Sequence, residues 1–220
     1  MKNEGDKSMK NLLLIGDSIR AGYDKSVRKS LEGKVNVIFP DENCRFAAYV
    51  LRHFHEWLGG VDGKDIDVVH WNTGLWDTIR MFDEEPQTPI DVYAYYIDRI
   101  CARIKTVCPN AKVIFATSTN VVQDKMANIS SVYSRKNGDV EKYNEEAIKI
   151  VKKHGFEVND LYTFSTSLPE EYHSDAVHYY TPEGTKAFTN QVLSCLLPAL
   201  GIDEEIEYRE ELHTDKPVGA

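Results

Sequence analysis

Three residues of this chain have the types needed for nucleophilic attack on an acyl group: Ser18, Asp175 and His178. Ser18 closes the run Leu12-Leu13-Leu14-Ile15-Gly16-Asp17-Ser18, where four large aliphatics break into a small residue, a carboxylate and a hydroxyl. Near the other end, Asp175 precedes His178 by three positions in Asp175-Ala176-Val177-His178, so its carboxylate can reach Nδ1 of the imidazole within one turn. Such a contact fixes the tautomer that leaves Nε2 free to take a serine proton. A nucleophile, a general base and a group that orients the base would then be present together. Each half also has an ordinary explanation, because Asp17 or Ser18 can cap a helix and Asp175 with His178 can close a loop. The chemistry follows only if the fold brings the two halves into contact.

The surrounding elements are of a kind that can do so. Four consecutive aliphatics without alternation suit a strand covered on both faces, as in a parallel sheet. Gly16 permits a tight turn, and Ser18 then falls where strand gives way to helix. Backbone N–H groups at a helix start lack intrahelical acceptors and can hold an oxyanion. Further along, apolar spacing predicts helices over 19–31, 46–58, 91–107, 139–154 and 182–200, and strands over 35–39, 67–71, 112–117 and 156–162. Between them lie polar loops at 40–45, 72–77 and 163–180, an exposed connection at 80–89, and an unusually long loop at 118–138. This alternation predicts a three-layer α/β/α sandwich around a five-stranded parallel sheet. In such sheets ligands bind outside the carboxyl ends of the strands, so the loops after strands one, two, three and five should converge on one site.

Composition bounds the function classes. The 220 residues suffice for one domain with a sizeable core, expected over 10–202 between a polar N-terminal extension at 1–9 and an acidic tail at 203–220. A formal net charge of -9 argues against a nucleic-acid backbone or an anionic membrane as partner. Cys44, Cys101, Cys108 and Cys195 lack the paired spacing of a zinc site, and reduced thiols in a cytoplasmic protein are the expectation, with no signal-peptide pattern at the start. His53 and His55, two apart on a helix, point to different faces and do not make a metal pair.

Taken together, Gly16-Asp17-Ser18-Ile19 and Asp175-Ala176-Val177-His178 resemble, in type, order and place, the two end blocks of the SGNH hydrolase superfamily, the GDSL esterases and lipases. The resemblance covers about residues 10–200 and implies a flavodoxin-like fold and ester or thioester hydrolysis through an acyl-enzyme, without metal or organic cofactor. It assigns Ser18 as nucleophile, His178 as base and Asp175 as its orienting partner. The middle blocks depart from the family pattern. Its oxyanion-hole glycine after the second strand corresponds here to Cys44, or to Asn43 if the loop shifts by one, and a backbone N–H needs no particular side chain. Its Gly-x-Asn-Asp block corresponds to Asn72-Thr73-Gly74-Leu75-Trp76-Asp77. Either Asn72 supplies the side-chain amide from a displaced position, or that donor is lost and Trp76 lines the pocket; Asn72 is the preferred reading, and Gly74 is a further backbone candidate.

The oxyanion hole expected from the resemblance is thus Ser18, Cys44 and Asn72, and the expected substrate contacts are Asp17, Arg45, Trp76 and Tyr179. Arg20 and Arg45 could each meet an anionic group, with a solvated surface position the default for both. Trp71, Trp76, Tyr179 and Tyr180 flank the site loops and could wall a sugar ring or a short acyl chain. His173, three residues after Glu170, is a minor rival to His178. The expected substrate is a short-chain ester such as an O-acetyl group on a carbohydrate or small metabolite. A thioesterase or lysophospholipase would need an apolar groove for which no loop stands out, and a non-catalytic binding protein or a flavin carrier is a reading from a different class.

Overall fold

A computed structural model of the chain describes residues 9–128 and 130–213. The N-terminal extension expected over 1–9 therefore lies outside the described residues except for Met9, as does the end of the tail, 214–220. Seven strands and six α-helices follow one another along the described chain: β1 (Lys10–Ile15), α1 (Ser18–Ser30), β2 (Val35–Ile38), α2 (Ala47–His53), β3 (Val68–Trp71), β4 (Arg80–Met81), α3 (Ile90–Val107), β5 (Lys112–Ala116), β6 (Tyr133–Ser134), α4 (Asn137–Lys153), β7 (Glu157–Asn159), α5 (Leu161–Thr166) and α6 (Pro182–Leu200).

Five strands form one parallel sheet in the order β2-β1-β3-β5-β7. Leu12, Leu13, Leu14 and Ile15 are fully buried because β1 is central and covered on both faces. Alternate residues point to opposite layers: Leu12 and Leu14 join a core with α1 and α6, whereas Leu13 and Ile15 join one with α2, α3 and α4. Burying each such side chain contributes roughly 1.5–3 kcal/mol, and this double layer makes β1 the stable axis of the domain. From β1 the chain moves to one side for β2 and then to the other for β3. The crevice between the carboxyl ends of β1 and β3 is the topological switch point, where open α/β sheets bind ligands.

Three local expectations are corrected. The second helix ends at His53 and continues as a single 3-10 turn over Phe54–Glu56. The last strand stops at Asn159, because Asp160 caps a new helix: its side chain accepts from the Thr163 N–H, which turns Leu161 and Tyr162 into α5. The loop expected over 118–138 contains a 3-10 stretch (Gln123–Asn128) and β6, which pairs antiparallel with β4, Arg80 opposite Ser134 and Met81 opposite Tyr133. Arg80 anchors this ribbon with a two-pronged ion pair to Asp139 on α4, at 2.7 and 3.0 Å. After α6 the described tail runs back along α1, where the Ser30 hydroxyl accepts from the Arg209 N–H and the Ser26 hydroxyl from the Glu211 N–H.

Candidate active site

Ser18 is the first residue of α1, delivered to the switch point by β1. Asp17 caps the helix by accepting the Ile19 N–H at 3.0 Å, and Arg28 and Lys29 lie in the last turn, where the helix dipole favours positive charge. As the first helical residue, Ser18 has a backbone N–H with no intrahelical acceptor. Gly16 is required by close approach: a Cβ there would lie 1.9 Å from Oδ1 of Asn72.

His178 and Asp175 come from the loop between α5 and α6. Ala176 and Val177, the two residues between them, are buried and pin the loop, and the Val122 N–H donates to the Ala176 carbonyl at 2.8 Å. Oδ1 of Asp175 accepts the N–H groups of Val177 and His178 at 2.7 and 2.8 Å, which leaves Oδ2 for Nδ1 of the His178 ring at 2.7 Å. Nε2 of that ring lies 2.8 Å from Oγ of Ser18. The two halves of the motif, 160 positions apart, are therefore in contact. Burial pushes the Asp175 carboxyl up, but the hydrogen bonds from His178 and the two backbone N–H groups outweigh it, holding it well below the usual carboxylate range. In this arrangement Asp175 is an anion, Nδ1 of His178 is a donor, and Nε2 can accept the serine proton.

Tyr180 completes the support, a role the sequence did not signal. Its ring stacks on that of His178 with centroids 4.8 Å apart, and its hydroxyl donates to the Ser18 carbonyl at 2.7 Å. The side chain reaches over Gly22, where an added Cβ would come within 2.8 Å of the Tyr180 ring. A glycine inside a helix costs about 0.5–1 kcal/mol relative to alanine, and here it makes room for the residue that buttresses the imidazole.

The expected oxyanion and substrate residues are placed differently. The Cys44 N–H donates to the Gly16 carbonyl at 3.1 Å, so it is engaged in tying the loop after β2 to β1. Asn43 uses its side chain to accept the Arg45 N–H at 2.8 Å. Nδ2 of Asn72 donates to Asp17 at 3.1 Å, so one N–H of this amide braces the helix cap. Among the described residues no acceptor takes the N–H of Gly74 or that of Asn43, which leaves these two with Ser18 as the unengaged backbone donors of the expected set.

Asp17 is wholly buried, and burial raises its carboxyl despite the hydrogen bonds from Asn72 and Ile19; it is a cap, not a substrate contact. Tyr179 is also interior, packed on Phe188 with its hydroxyl on Asn120. Trp71 is fully buried against Phe115. Of the four aromatics, Trp76 and Tyr180 stay partly open. Arg45 adopts a left-handed backbone with φ 52 and stacks over Tyr49. Arg20, expected on the surface, is 2% exposed: it pairs with Asp24 and donates to the carbonyls of Gly16, Pro40 and Glu42, locking α1 to the loop after β2. His173 lies on the ring of Tyr179, and burial pushes it down to about 4, while Glu170 pairs with Lys125 instead. Burial raises the Cys44 thiol to about 11, which makes it a poor nucleophile. Among the described residues no three His, Cys, Asp or Glu side chains converge as metal ligands would, and no helix is long and apolar enough to cross a membrane.

No protein-family model and no curated protein matches the sequence. Solved structures do match. A lipase/acylhydrolase from Enterococcus faecalis superposes with a TM-score of 0.66 at 17% identity, over 92% of this chain and 100% of that one. An acetyl xylan esterase gives 0.64 at 17% identity over 84% and 99%, and an acetylxylan esterase from Geobacillus stearothermophilus 0.60 at 14% over 88% and 95%. The five-stranded parallel sheet with helices on both faces, superposing over nearly the whole length of those proteins, gives this chain the α/β/α fold of the GDSL/SGNH lipases and esterases.

Proposed function

We propose that this protein hydrolyses carboxylic esters through an acyl-enzyme on Ser18. The observation that carries the reading is the unbroken hydrogen-bonded series from Ser18 Oγ through His178 to Asp175, at 2.8 and 2.7 Å. In the first step Oγ of Ser18 attacks the ester carbonyl while Nε2 of His178 takes the hydroxyl proton. Asp175 steadies the imidazolium that forms. The backbone N–H of Ser18, with that of Gly74, holds the charge on the carbonyl oxygen. Collapse expels the alcohol, which leaves with the proton from His178, and water then enters by the reverse sequence to release the acid. The chain's own groups suffice for both halves of the reaction.

A short acyl group is the substrate class we favour. The likeness to acetylxylan esterases supports an O-acetyl group on a carbohydrate, and the partly open ring of Trp76 suits the face of a sugar. The test is hydrolysis of 4-nitrophenyl acetate by the native chain and by Ser18→Ala at equal folded concentration. Native turnover that falls about 10³-fold or more in the variant supports the reading; equal rates in the two proteins overturn it.

A further inference from the structure

Arg135, the residue after β6, is a second buried arginine, and its surroundings differ from those of Arg20. Its side chain is 8% exposed, yet it makes one hydrogen bond, from Nε to the Leu75 carbonyl at 2.7 Å. The guanidinium carbon sits 5.7 Å from the centre of the Tyr133 ring. Among the described residues no acceptor takes Nη1 or Nη2, and no carboxylate is near enough to form an ion pair. Neither nitrogen is among the fully enclosed polar atoms without partners, so the fork keeps an opening to solvent. A cation held this deep is destabilising unless its donors are received.

The location says what it faces. Leu75 follows Gly74 in the loop leaving β3, at the switch point. The negative charges of Asp17 and Asp175, one before Ser18 and one behind His178, both act on the Arg135 guanidinium. The ribbon of β4 and β6 holds the residue there, fixed by Arg80 on Asp139 and by the paired amide bonds of Asn137 with Val121 at 2.8 and 2.9 Å. Burial is the leading influence on this side chain and opposes its charge, so an anion arriving at the fork would relieve that opposition.

We propose that the open fork of Arg135 receives an oxyanionic substituent of the substrate, a carboxylate or a phosphate, while the ester bond lies over Ser18. This rests on the proposed esterase reading and narrows it to esters of acidic molecules. Two parallel N–H donors match the two-oxygen face of such a group, and guanidinium is suited to it as a point charge is not. A contribution to the transition-state oxyanion would instead act on every ester alike, and that difference is what the experiment reads.

The acetyl esters of 4-hydroxybenzoate, of 4-hydroxyphenyl phosphate and of neutral methyl 4-hydroxybenzoate are compared by kcat/KM in the native chain, Arg135→Gln and Arg135→Lys. The native chain is expected to favour at least one anionic ester by about tenfold or more, expressed in KM. In Arg135→Gln that ratio collapses by about tenfold, and Arg135→Lys restores part of it; whichever anion is favoured identifies the source. No anionic preference in the native chain overturns the proposal. So does a loss in Arg135→Gln that lowers kcat equally on charged and neutral esters. If Arg135→Gln does not fold, competition decides: benzoate or phenyl phosphate should inhibit hydrolysis of the neutral ester by the native chain, and failure of both at millimolar concentration overturns the proposal. Were no ester turned over, the esterase reading would fall by itself. Calorimetric binding of the same two anions to the native chain and to Arg135→Gln would still test Arg135, with equal or absent binding overturning its role.

Discussion

Two polar clusters share the carboxyl edge of the sheet and are built on opposite terms. Around Ser18 the groups of the proposed reaction are received within the chain, with Oδ2 of the adjacent Asp17 the buried exception: Asp175 accepts three hydrogen bonds, both ring nitrogens of His178 are engaged, and Tyr180 holds the Ser18 carbonyl. In the loop leaving β3 and its neighbours, Oδ1 of Asn72, Nε1 of Trp71 and Oγ of Ser118 are buried without a partner among the described residues, and Arg135 leaves its fork open. A cluster complete in itself is preorganised and meets the reacting atoms without rearrangement. A cluster with hydrogen-bonding capacity to spare is suited to recognising something. On the proposed reading, reaction chemistry and substrate choice occupy adjacent but separate parts of the edge.

The sharpest way to break this division is Asp175→Asn. The replacement keeps an oxygen for the N–H groups of Val177 and His178 but removes the charge facing Nδ1, so the loop should survive while the tautomer is lost. The side chain of Asp175 is 41% exposed, which lets water soften the change. A fall in kcat on the order of 10²- to 10⁴-fold with little change in thermal stability is expected. A fall of less than tenfold would show that Asp175 serves the loop and not the imidazole.

Asn72→Ala tests the other cluster. Removing the amide breaks the bond to Asp17 beneath the helix cap, and about 1–3 kcal/mol of stability should go with it, measured by urea unfolding. Because that amide is engaged with Asp17, kcat on a short-chain ester should fall less than tenfold. A loss of 10²- to 10³-fold at retained folding would return Asn72 to the oxyanion hole.

The contrast also explains what could be read from sequence. The parallel sheet was legible because β1 and β5 carry unbroken apolar runs, Leu12–Ile15 and Val113–Ala116, and the Asp175–His178 contact because three positions of separation is a local constraint. Contact of that pair with Ser18 carried no spacing rule, being 160 positions apart, and was inferable only from the convergence of loops at the carboxyl ends of parallel strands together with the resemblance. Arg20 and Arg135 show the limit. Neither sits in a pattern that marks burial, and the difference between them arises from tertiary neighbours: Pro40 and Glu42 carbonyls for one, the Leu75 carbonyl alone for the other. The contacts that Cys44 and Asn72 make instead, with Gly16 and Asp17, were hidden for a similar reason. Each pair is near in space through sheet order, and sheet order is not written in any one segment. The only available signal for Tyr180 was Gly22, a glycine within a helical pattern, which points to a close neighbour without naming it.

The smallest expected effect concerns His70, which lies in β3 beneath both clusters and links them to the core. Its Nε2 is 3.2 Å from Nδ2 of Asn159, and burial pushes its pKa down to about 4. In the unfolded chain the imidazole titrates near 6.5, so between that value and about 4 the unfolded state binds a proton that the folded state refuses. The stability this residue allows is complete above pH 6.5 and is lost as pH falls toward about 4. Asp77 has the opposite sign: burial raises it to about 7, so on acidification the folded state takes up its proton first and gains. The wild-type slope mixes these contributions, with His173 adding to that of His70. His70→Gln removes one of them while keeping an acceptor for the Asn159 amide. The difference between wild type and variant, measured by urea unfolding at about pH 7.5 and pH 5, should therefore shift by about 1–2 kcal/mol in favour of the variant at the lower pH. An unchanged difference would mean that His70 already carries its proton inside the fold. The core beneath the switch point would then hold a charge that Asn159 alone cannot satisfy.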